Sequence, residues 1–274
     1  MSPTLHTETL GQGLDLFLVH GWALHGGVWD SLVPELARDW RVTRVDLPGH
    51  GRSRVVPMPA TLSALAELVV HAAPQNAVWL GWSLGGLVAQ QAALDFPQRV
   101  RALILTSSTP RFVTAPDWDC AMAPEQLADF SRELARDYRG TVHRFLALQV
   151  QGSEHARTSL RQLSASLSVC VEPDAQSLAA GLEILRSSDL RAAVPRLAQP
   201  TLVMTGEYDR VVPPAAGAWL AHAISGGRLF SVPKAAHAPF VSHPREFLAA
   251  VRDFLAPLHA TAAPASAHGA SPHG

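Results

Sequence analysis

The sequence predicts an α/β fold in which a doubly wound, mostly parallel sheet carries a helical insertion. Short apolar runs suited to buried parallel strands alternate with amphipathic helical patterns along most of the chain. This alternation stops between about residues 110 and 190, where only helical patterns occur. The chain has 274 residues, 47% of them hydrophobic, which is enough for one domain with a sizeable core.

Six apolar runs are predicted to be strands, and they lie at residues 15–21, 41–49, 77–83, 100–107, 200–209 and 227–233. Helical patterns between and after them include residues 62–73, 84–96 and 245–255. Strands that alternate with helices in this way typically form a parallel sheet with helices on both faces.

The interruption predicts a lid of residues 110–190 between two core segments, 1–109 and 191–258. Four helical patterns fill this insertion, and it follows the fourth apolar run. It should therefore cover the carboxyl ends of the strands, where open α/β sheets bind ligands. The tail, 259–274, contains Ala, Pro, Ser, Gly and His without apolar periodicity, and we expect it to be disordered.

The composition argues against several classes of partner. A formal net charge of -1 indicates neither a nucleic-acid nor a membrane partner. The N-terminal residues lack the pattern of a signal peptide, and no uncharged apolar run could span a bilayer, so we expect a cytoplasmic protein. With no heptad pattern or apolar patch, a monomer is expected.

Cys120 and Cys170 are too few for a disulfide framework, and the scattered histidines predict no metal site.

The stretch VWLGWSLGG, residues 78–86, places a serine between an apolar run and a helical pattern. Gly81, Ser83 and Gly85 fit G-x-S-x-G, the pattern of a nucleophile elbow, in which a strand turns sharply into a helix. A Cβ at either glycine would collide in so tight a turn. The pattern therefore predicts Ser83 as an exposed nucleophile at a helix N-terminus.

A serine nucleophile needs a histidine base and an acid that orients the histidine. His237 lies in the loop after the sixth run and Asp209 at the end of the fifth, so the order Ser83, Asp209, His237 matches the order of this fold. Glu207 is a rival acid, but it points to the opposite face if the strand continues that far, and we choose Asp209. Three other histidines are interpreted as loop-shaping residues: His20, His25 and His50.

Two backbone N–H groups should stabilise the oxyanion of the tetrahedral intermediate. The Leu84 amide follows the nucleophile, and the Trp22 amide lies in the loop after the first run. The Trp22 indole should line an acyl pocket with Trp82 and Phe145, although an aromatic residue at Phe145 also suits a helix core.

With these residues the chain resembles the α/β-hydrolase family. Several stretches, LVHGWALHGGVWD, VDLPGHGRSR, VWLGWSLGGLVA, TVHRFLALQ, GLEILRSSDLR and KAAHAPFVSHP, are similar to the pimeloyl-[acyl-carrier protein] methyl ester esterases of biotin synthesis. The resemblance runs from about Leu16 to Leu255. It implies cofactor-free hydrolysis of the methyl ester of pimeloyl-acyl-carrier protein, with release of methanol, and an acyl-carrier protein as partner.

The resemblance also implies that lid arginines bind the acidic carrier protein. Arg144, Arg157 and Arg161 match its basic positions, and one further basic position falls on Gly140, with Arg139 beside it. Arg157 and Arg161 are spaced i, i+4 and share a helix face. Apart from the resemblance, these residues suit a solvated lid helix with internal acid–base pairs.

Two other functions remain open at this point. A general short-chain carboxylesterase would use the same three residues without a carrier-protein partner. A hydrolase-fold binding protein would keep the pocket for ligand recognition. Dehalogenases and epoxide hydrolases of this fold use a carboxylate at the elbow, and Ser83 argues against both.

Overall fold

A computed structural model describes residues 4–260, with side chains to 258. A seven-stranded sheet forms the centre, in the order β1-β3-β2-β4-β5-β6-β7. Its strands are β1 (Thr7–Leu10), β2 (Asp15–Val19), β3 (Arg41–Val45), β4 (Ala77–Trp82), β5 (Val100–Thr106), β6 (Thr201–Gly206) and β7 (Arg228–Val232). All pairings are parallel except that of β1 with β3. The predicted α/β fold with a mostly parallel sheet is confirmed.

Helices connect and cover the strands. Around the sheet lie α1 (Val33–Leu36), α2 (Leu62–Ala72), α3 (Leu84–Asp95), α8 (Pro214–Ala223), α9 (Pro239–Ser242) and α10 (Pro244–Ala260). Between β5 and β6 lie α4 (Pro124–Leu134), α5 (Tyr138–Val150), α6 (Ala156–Val169) and α7 (Ala175–Ser187). Short 3₁₀ turns occur at Gly26–Trp29, Gly51–Ser53, Pro97–Arg99 and Val194–Arg196. Among the described residues, no helix is long and apolar enough to cross a bilayer.

The winding direction reverses between β3 and β4. Since parallel crossovers are right-handed, this reversal places helices on both faces of the sheet. Every residue of β4 and β6 is buried, which explains why these strands read as continuous apolar runs. The edge strand β1 was not predicted, because its sequence TETL is mostly exposed and has no apolar run.

The two ends of the helical segment between β5 and β6 lie next to each other. The Leu190 amide donates to the Pro110 carbonyl at 2.9 Å, which joins its two ends. We propose that residues 110–190 form the lid unit predicted from the sequence.

Residues 259 and 260 of the predicted tail extend α10, and the rest of that tail lies outside the described residues.

Asp46, immediately after β3, joins two loops at the carboxyl edge of the sheet. Its carboxylate accepts hydrogen bonds from the Gly26 amide at 2.6 Å and from the Arg52 amide at 2.8 Å. Asp46 is only 5% exposed, so solvent cannot replace these bonds well. The side chain therefore fixes the loop after β2 against the loop after β3.

We expect Asp46→Ala to lower the free energy of unfolding by about 2–3 kcal/mol, because two amides at a buried site lose their acceptor. The matched control is Asp253→Ala, since Asp253 is exposed and its ion pair with Arg228 lies at the surface. That change should cost less than about 1 kcal/mol. Urea unfolding measures both values, and equal losses would contradict the structural role of Asp46.

Candidate active site

Ser83 occupies a strained turn between β4 and α3. Its backbone has φ 54° and ψ -117°, a left-handed region that non-glycine residues rarely adopt. The chain is tightly packed on both sides: a Cβ at Gly81 would lie 2.4 Å from the Gly85 oxygen, and one at Gly85 would lie 2.2 Å from the Val19 oxygen. The two glycines therefore permit the turn that the G-x-S-x-G pattern predicted.

Hydrogen bonds from neighbouring elements hold the turn. The Ser83 amide donates to the Thr106 carbonyl at the end of β5, at 3.0 Å. The Ser83 carbonyl accepts from the Ser108 hydroxyl at 2.8 Å, a bond that no sequence pattern indicates. The prediction of an exposed nucleophile is wrong for this structure: Ser83 is 4% exposed, because the surrounding loops and helices nearly close the site.

His237 and Asp209 form a buried pair. Nδ1 of His237 lies 2.9 and 3.0 Å from the two carboxylate oxygens of Asp209. Asp209 also accepts from the amides of Val211 and Val212, both at 2.9 Å, which fix its orientation. Because the carboxylate accepts, Nδ1 carries the proton and the lone pair is on Nε2.

Nε2 of His237 is buried and has no hydrogen-bond partner within residues 4–260. The loop around it is well held: the His237 amide donates to the Gln149 carbonyl in α5 at 2.9 Å, and the Trp82 indole donates to the His237 carbonyl at 2.8 Å. Trp82 directly precedes Ser83. A fixed imidazole with an unused lone pair beside the elbow is the arrangement a general base requires.

The carboxylate of Glu207, the rival acid, does not bond to His237. It is exposed, and its carboxylate accepts a hydrogen bond from the Lys234 amide at 2.8 Å. The carboxylate that contacts the His237 ring belongs to Asp209.

The two candidate oxyanion donors lie on either side of the serine. Leu84 is the first residue of α3, where helix amides lack intrahelical acceptors. The loop that carries Trp22 passes beside the elbow, because a Cβ at Gly21 would lie 3.3 Å from Cβ of Ser83. In the described part of the chain, neither the Trp22 nor the Leu84 amide has a hydrogen-bond acceptor.

The aromatic residues predicted for the pocket fall into two groups. The Trp22 indole donates to the Leu178 carbonyl in α7 at 2.9 Å, and its ring meets Phe145 edge-on with 5.0 Å between centroids. Trp82 instead packs against His237 and Phe240, with centroids 5.7 and 5.1 Å apart. Trp22 and Phe145 thus join the lid to the core, while Trp82 supports the imidazole.

The other three histidines shape loops, as predicted. Nε2 of His20 accepts from the Leu47 amide at 2.9 Å, and Nε2 of His50 accepts from the Ala23 amide at 3.2 Å. Each Nδ1 donates to a nearby carbonyl. Burial holds the pKa of His20 well below its usual value and lowers the pKa of His50 to about 4, so both rings are neutral at pH 7. His25 bridges to the lid, since its Nε2 lies 2.7 Å from the Ser166 carbonyl.

The lid arginines differ in their partners. Arg144 is ion-paired with Glu133 at 2.7 Å, as the solvated-helix interpretation expects. Arg157 and Arg161 are exposed, and neither has a carboxylate within ion-pair distance among the described residues. Arg139, beside the departure from the resembling pattern, is paired with Glu172.

The strained serine and the buried histidine–aspartate pair, set at the carboxyl edge of this sheet, are typical of α/β hydrolases. The family described as alpha/beta hydrolase fold matches residues 16–244, and the chain belongs to this family of hydrolases.

The chain is similar to several proteins named pimeloyl-[acyl-carrier protein] methyl ester esterase. The protein of Stenotrophomonas maltophilia is 46% identical over 93% of this chain and 97% of its own length. That of Xanthomonas oryzae pv. oryzae is also 46% identical, over 92% of this chain and 99% of its own. The resemblance recognised in the sequence is confirmed.

Solved structures agree with the fold. A hydrolase from Pseudomonas aeruginosa superposes with a TM-score of 0.77 at 30% identity, covering 92% of this chain and 94% of its own. A thermophilic esterase from Thermogutta terrifontis superposes with a TM-score of 0.79 at 27% identity, and the match covers 93% of this chain and 94% of the esterase.

Adding one methyl group at Gly81 should disrupt the elbow. We expect Gly81→Ala to lower the free energy of unfolding by about 2–4 kcal/mol and to reduce esterase turnover strongly, because the Cβ would overlap the backbone of α3. Gly226→Ala is the control, since Gly226 has φ 73° but a Cβ there meets nothing within 4 Å. The control should cost about 1–2 kcal/mol from backbone strain alone and leave kcat unchanged. Thermal unfolding and p-nitrophenyl butyrate hydrolysis test both, and full activity in Gly81→Ala would contradict the assignment.

Proposed function

We propose that this chain hydrolyses the methyl ester of pimeloyl-acyl-carrier protein to pimeloyl-acyl-carrier protein and methanol in biotin synthesis. The observation that carries the proposal is the similarity to esterases of that name over 92–93% of this chain, which includes the segment proposed as the lid. Helices over the site contact the substrate and its carrier, so similarity there bears on substrate choice. The buried histidine–aspartate pair supports ester hydrolysis as the chemistry.

The first chemical step uses Ser83 as nucleophile. Nε2 of His237 accepts the hydroxyl proton while Oγ attacks the ester carbonyl, and Asp209 stabilises the imidazolium through Nδ1. The developing oxyanion accepts hydrogen bonds from the amides of Leu84 and Trp22.

Collapse of this intermediate breaks the bond to the methoxy group. The imidazolium of His237 returns the proton, and methanol leaves. Water, deprotonated by the same Nε2, then attacks the acyl-enzyme, and Ser83 is released with its proton restored. None of these steps uses a cofactor.

Carrier-protein recognition is proposed for the lid surface. Arg144 and Arg157 line an open groove of about 620 Å³ between α5 and α6, together with apolar residues that include Leu148, Val150 and Leu160. Guanidinium groups pair well with carboxylates and phosphate, the charged groups of an acyl-carrier protein. Arg157 and Arg161 are available without breaking an ion pair, whereas Arg144 would exchange its bond to Glu133.

The substrate also supports a location and an assembly state. We propose that the chain acts in the cytoplasm as a monomer, with the acyl-carrier protein as its partner and with neither a nucleic acid nor a membrane. A small net charge of -1 supports recognition through local rather than overall charge.

The choice of acid can be tested with two isosteric changes. We expect Asp209→Asn to lower kcat by about 10⁴-fold, because the amide favours the wrong tautomer of His237. Glu207→Gln is the matched control, since glutamine still accepts from the Lys234 amide, and it should keep activity within about twofold of wild type. Steady-state hydrolysis of p-nitrophenyl butyrate measures both. An active Asp209→Asn beside an inactive Glu207→Gln would reverse the assignment.

The substrate is tested by comparing pimeloyl-acyl-carrier protein methyl ester with p-nitrophenyl butyrate at low and high salt. We expect a preference for the carrier-linked ester that falls as ionic strength rises, because charge pairs at the lid surface are screened. Hydrolysis of the small ester alone would identify a general short-chain carboxylesterase. Folded protein whose Ser83 fails to react with a fluorophosphonate would indicate a binding protein instead.

Charge reversal then tests the docking surface. We expect Arg157→Glu with Arg161→Glu to raise KM for the carrier-linked ester by about 10-fold or more and to leave the small ester unchanged. The control reverses two exposed arginines of the core, Arg38 and Arg228, and so changes the net charge equally. An equal loss on both substrates would indicate a damaged lid, and an equal effect of the control would indicate overall charge.

A further inference from the structure

Three side chains meet where the lid touches the core, and none of them is a proposed catalytic residue. Glu154 and His155 lie at the start of α6, and His243 lies between α9 and α10. One ligand atom from each lies within 4.8 Å of the others, and the two imidazole rings are 5.3 Å apart. The scattered histidines predicted no metal site, and Glu154 and His155 are nearly 90 positions from His243, a separation that only the fold closes.

The hydrogen bonds of His243 leave its Nε2 free to bind a metal. The Ser242 hydroxyl lies 3.3 Å from the Ala238 carbonyl and 2.8 Å from Nδ1 of His243, so it can donate to the carbonyl and accept from Nδ1. In that arrangement Nδ1 carries the proton, and Nε2 carries the lone pair. A histidine that binds a metal typically donates a hydrogen bond from the N–H of its other ring nitrogen, which fixes the tautomer and the ring orientation.

The charges around the cluster act in both directions. The carboxylate of Glu154 favours a cation. Lys234 opposes a cation, since its ammonium lies 3.4 Å from Glu154. That ion pair is exposed on both sides and exchanges readily for a stronger ligand.

We propose that Glu154, His155 and His243 bind one divalent transition-metal ion, best matched by zinc, and that the ion ties the lid to the core. Two imidazoles and one carboxylate with a fourth position open form a known ligand set for zinc, whose bonds are about 2.0–2.1 Å long. Ligand atoms in such a tetrahedron are about 3.4 Å apart. The ligand atoms here are up to 4.8 Å apart, and the exposed side chains of Glu154 and His155 can rotate to bring them to the shorter distance.

The position of the cluster means that a bound ion would connect the lid to the core. The Glu154 amide already donates to the Lys234 carbonyl at 3.1 Å, in the loop that leads to His237. The helix α6 packs against α9, which follows the same loop. A bound ion would add a bond from each side of this junction and would restrain the lid in the closed position.

Zinc binding is tested on the intact protein by competition with a chromogenic chelator, and the ligand set by the visible spectrum of bound Co²⁺. We expect one site per chain, weakened by about 10-fold or more in Glu154→Gln and in His155→Ala. His222→Ala is the matched control, because His222 is exposed on α8 and outside the cluster, and it should bind as wild type does. Equal affinity in wild type and both ligand variants would overturn the site.

Two further readouts test the restraint without using activity. Zinc about 100-fold above the wild-type Kd should raise Tm by about 5 °C or more in wild type and by about half as much or less in His155→Ala. Amide hydrogen exchange over residues 150–156 should slow when zinc binds. Unchanged exchange in zinc-loaded wild type would overturn the restraint. Because neither readout uses an ester, the result is independent of the proposed catalytic function.

Discussion

The close approach of the start of α3 to the end of β2 is the constraint on which the site depends. A Cβ at Gly85 would lie 2.2 Å from the Val19 oxygen and 2.6 Å from the His20 oxygen, so only glycine fits between these backbones. This contact forces Ser83 into the left-handed region and places the first amide of α3 beside the loop that carries Trp22. The proposed nucleophile and both candidate oxyanion donors are therefore positioned by one packing requirement, and strain at Ser83 persists because the surrounding structure fixes it.

The lid takes part in positioning the same groups. Its helix α7 accepts the hydrogen bond of the Trp22 indole, and α5 supplies the carbonyl that accepts from the His237 amide. With Ser83 only 4% exposed, this closed arrangement suits chemistry but restricts entry. A substrate that displaces the lid would loosen contacts on either side of the serine. In the proposed function, opening would therefore oppose catalysis, and the lid would close again after the substrate enters.

The sequence predicted the buried strands and the elbow because both have strong local signals. Continuous apolar runs identify strands buried on both faces, and glycine spacing identifies a sharp turn. The edge strand β1 has neither signal and was missed. Contacts between the lid and core, such as that of Gln149 with His237, use backbone carbonyls that any side chain would leave in place, so they have no sequence signature. The cluster around His243 was missed for the related reason that its members meet only after folding.

Gly140 shows why the proposed docking charge lies mainly on α6. A basic side chain was expected at this position from the resemblance, but the Gly140 amide donates to the N-cap Asp137 at 2.9 Å, and a Cβ there would lie 1.9 Å from the same carboxylate. A larger residue would have to move this cap, which also lies 3.8 Å from Arg144. Glycine thus preserves the capped start of α5 and the acidic environment of Arg144, at the loss of one cation. Of the arginines proposed for docking, Arg157 and Arg161 have no ion pair among the described residues, so an acidic partner would bind chiefly along that helix face.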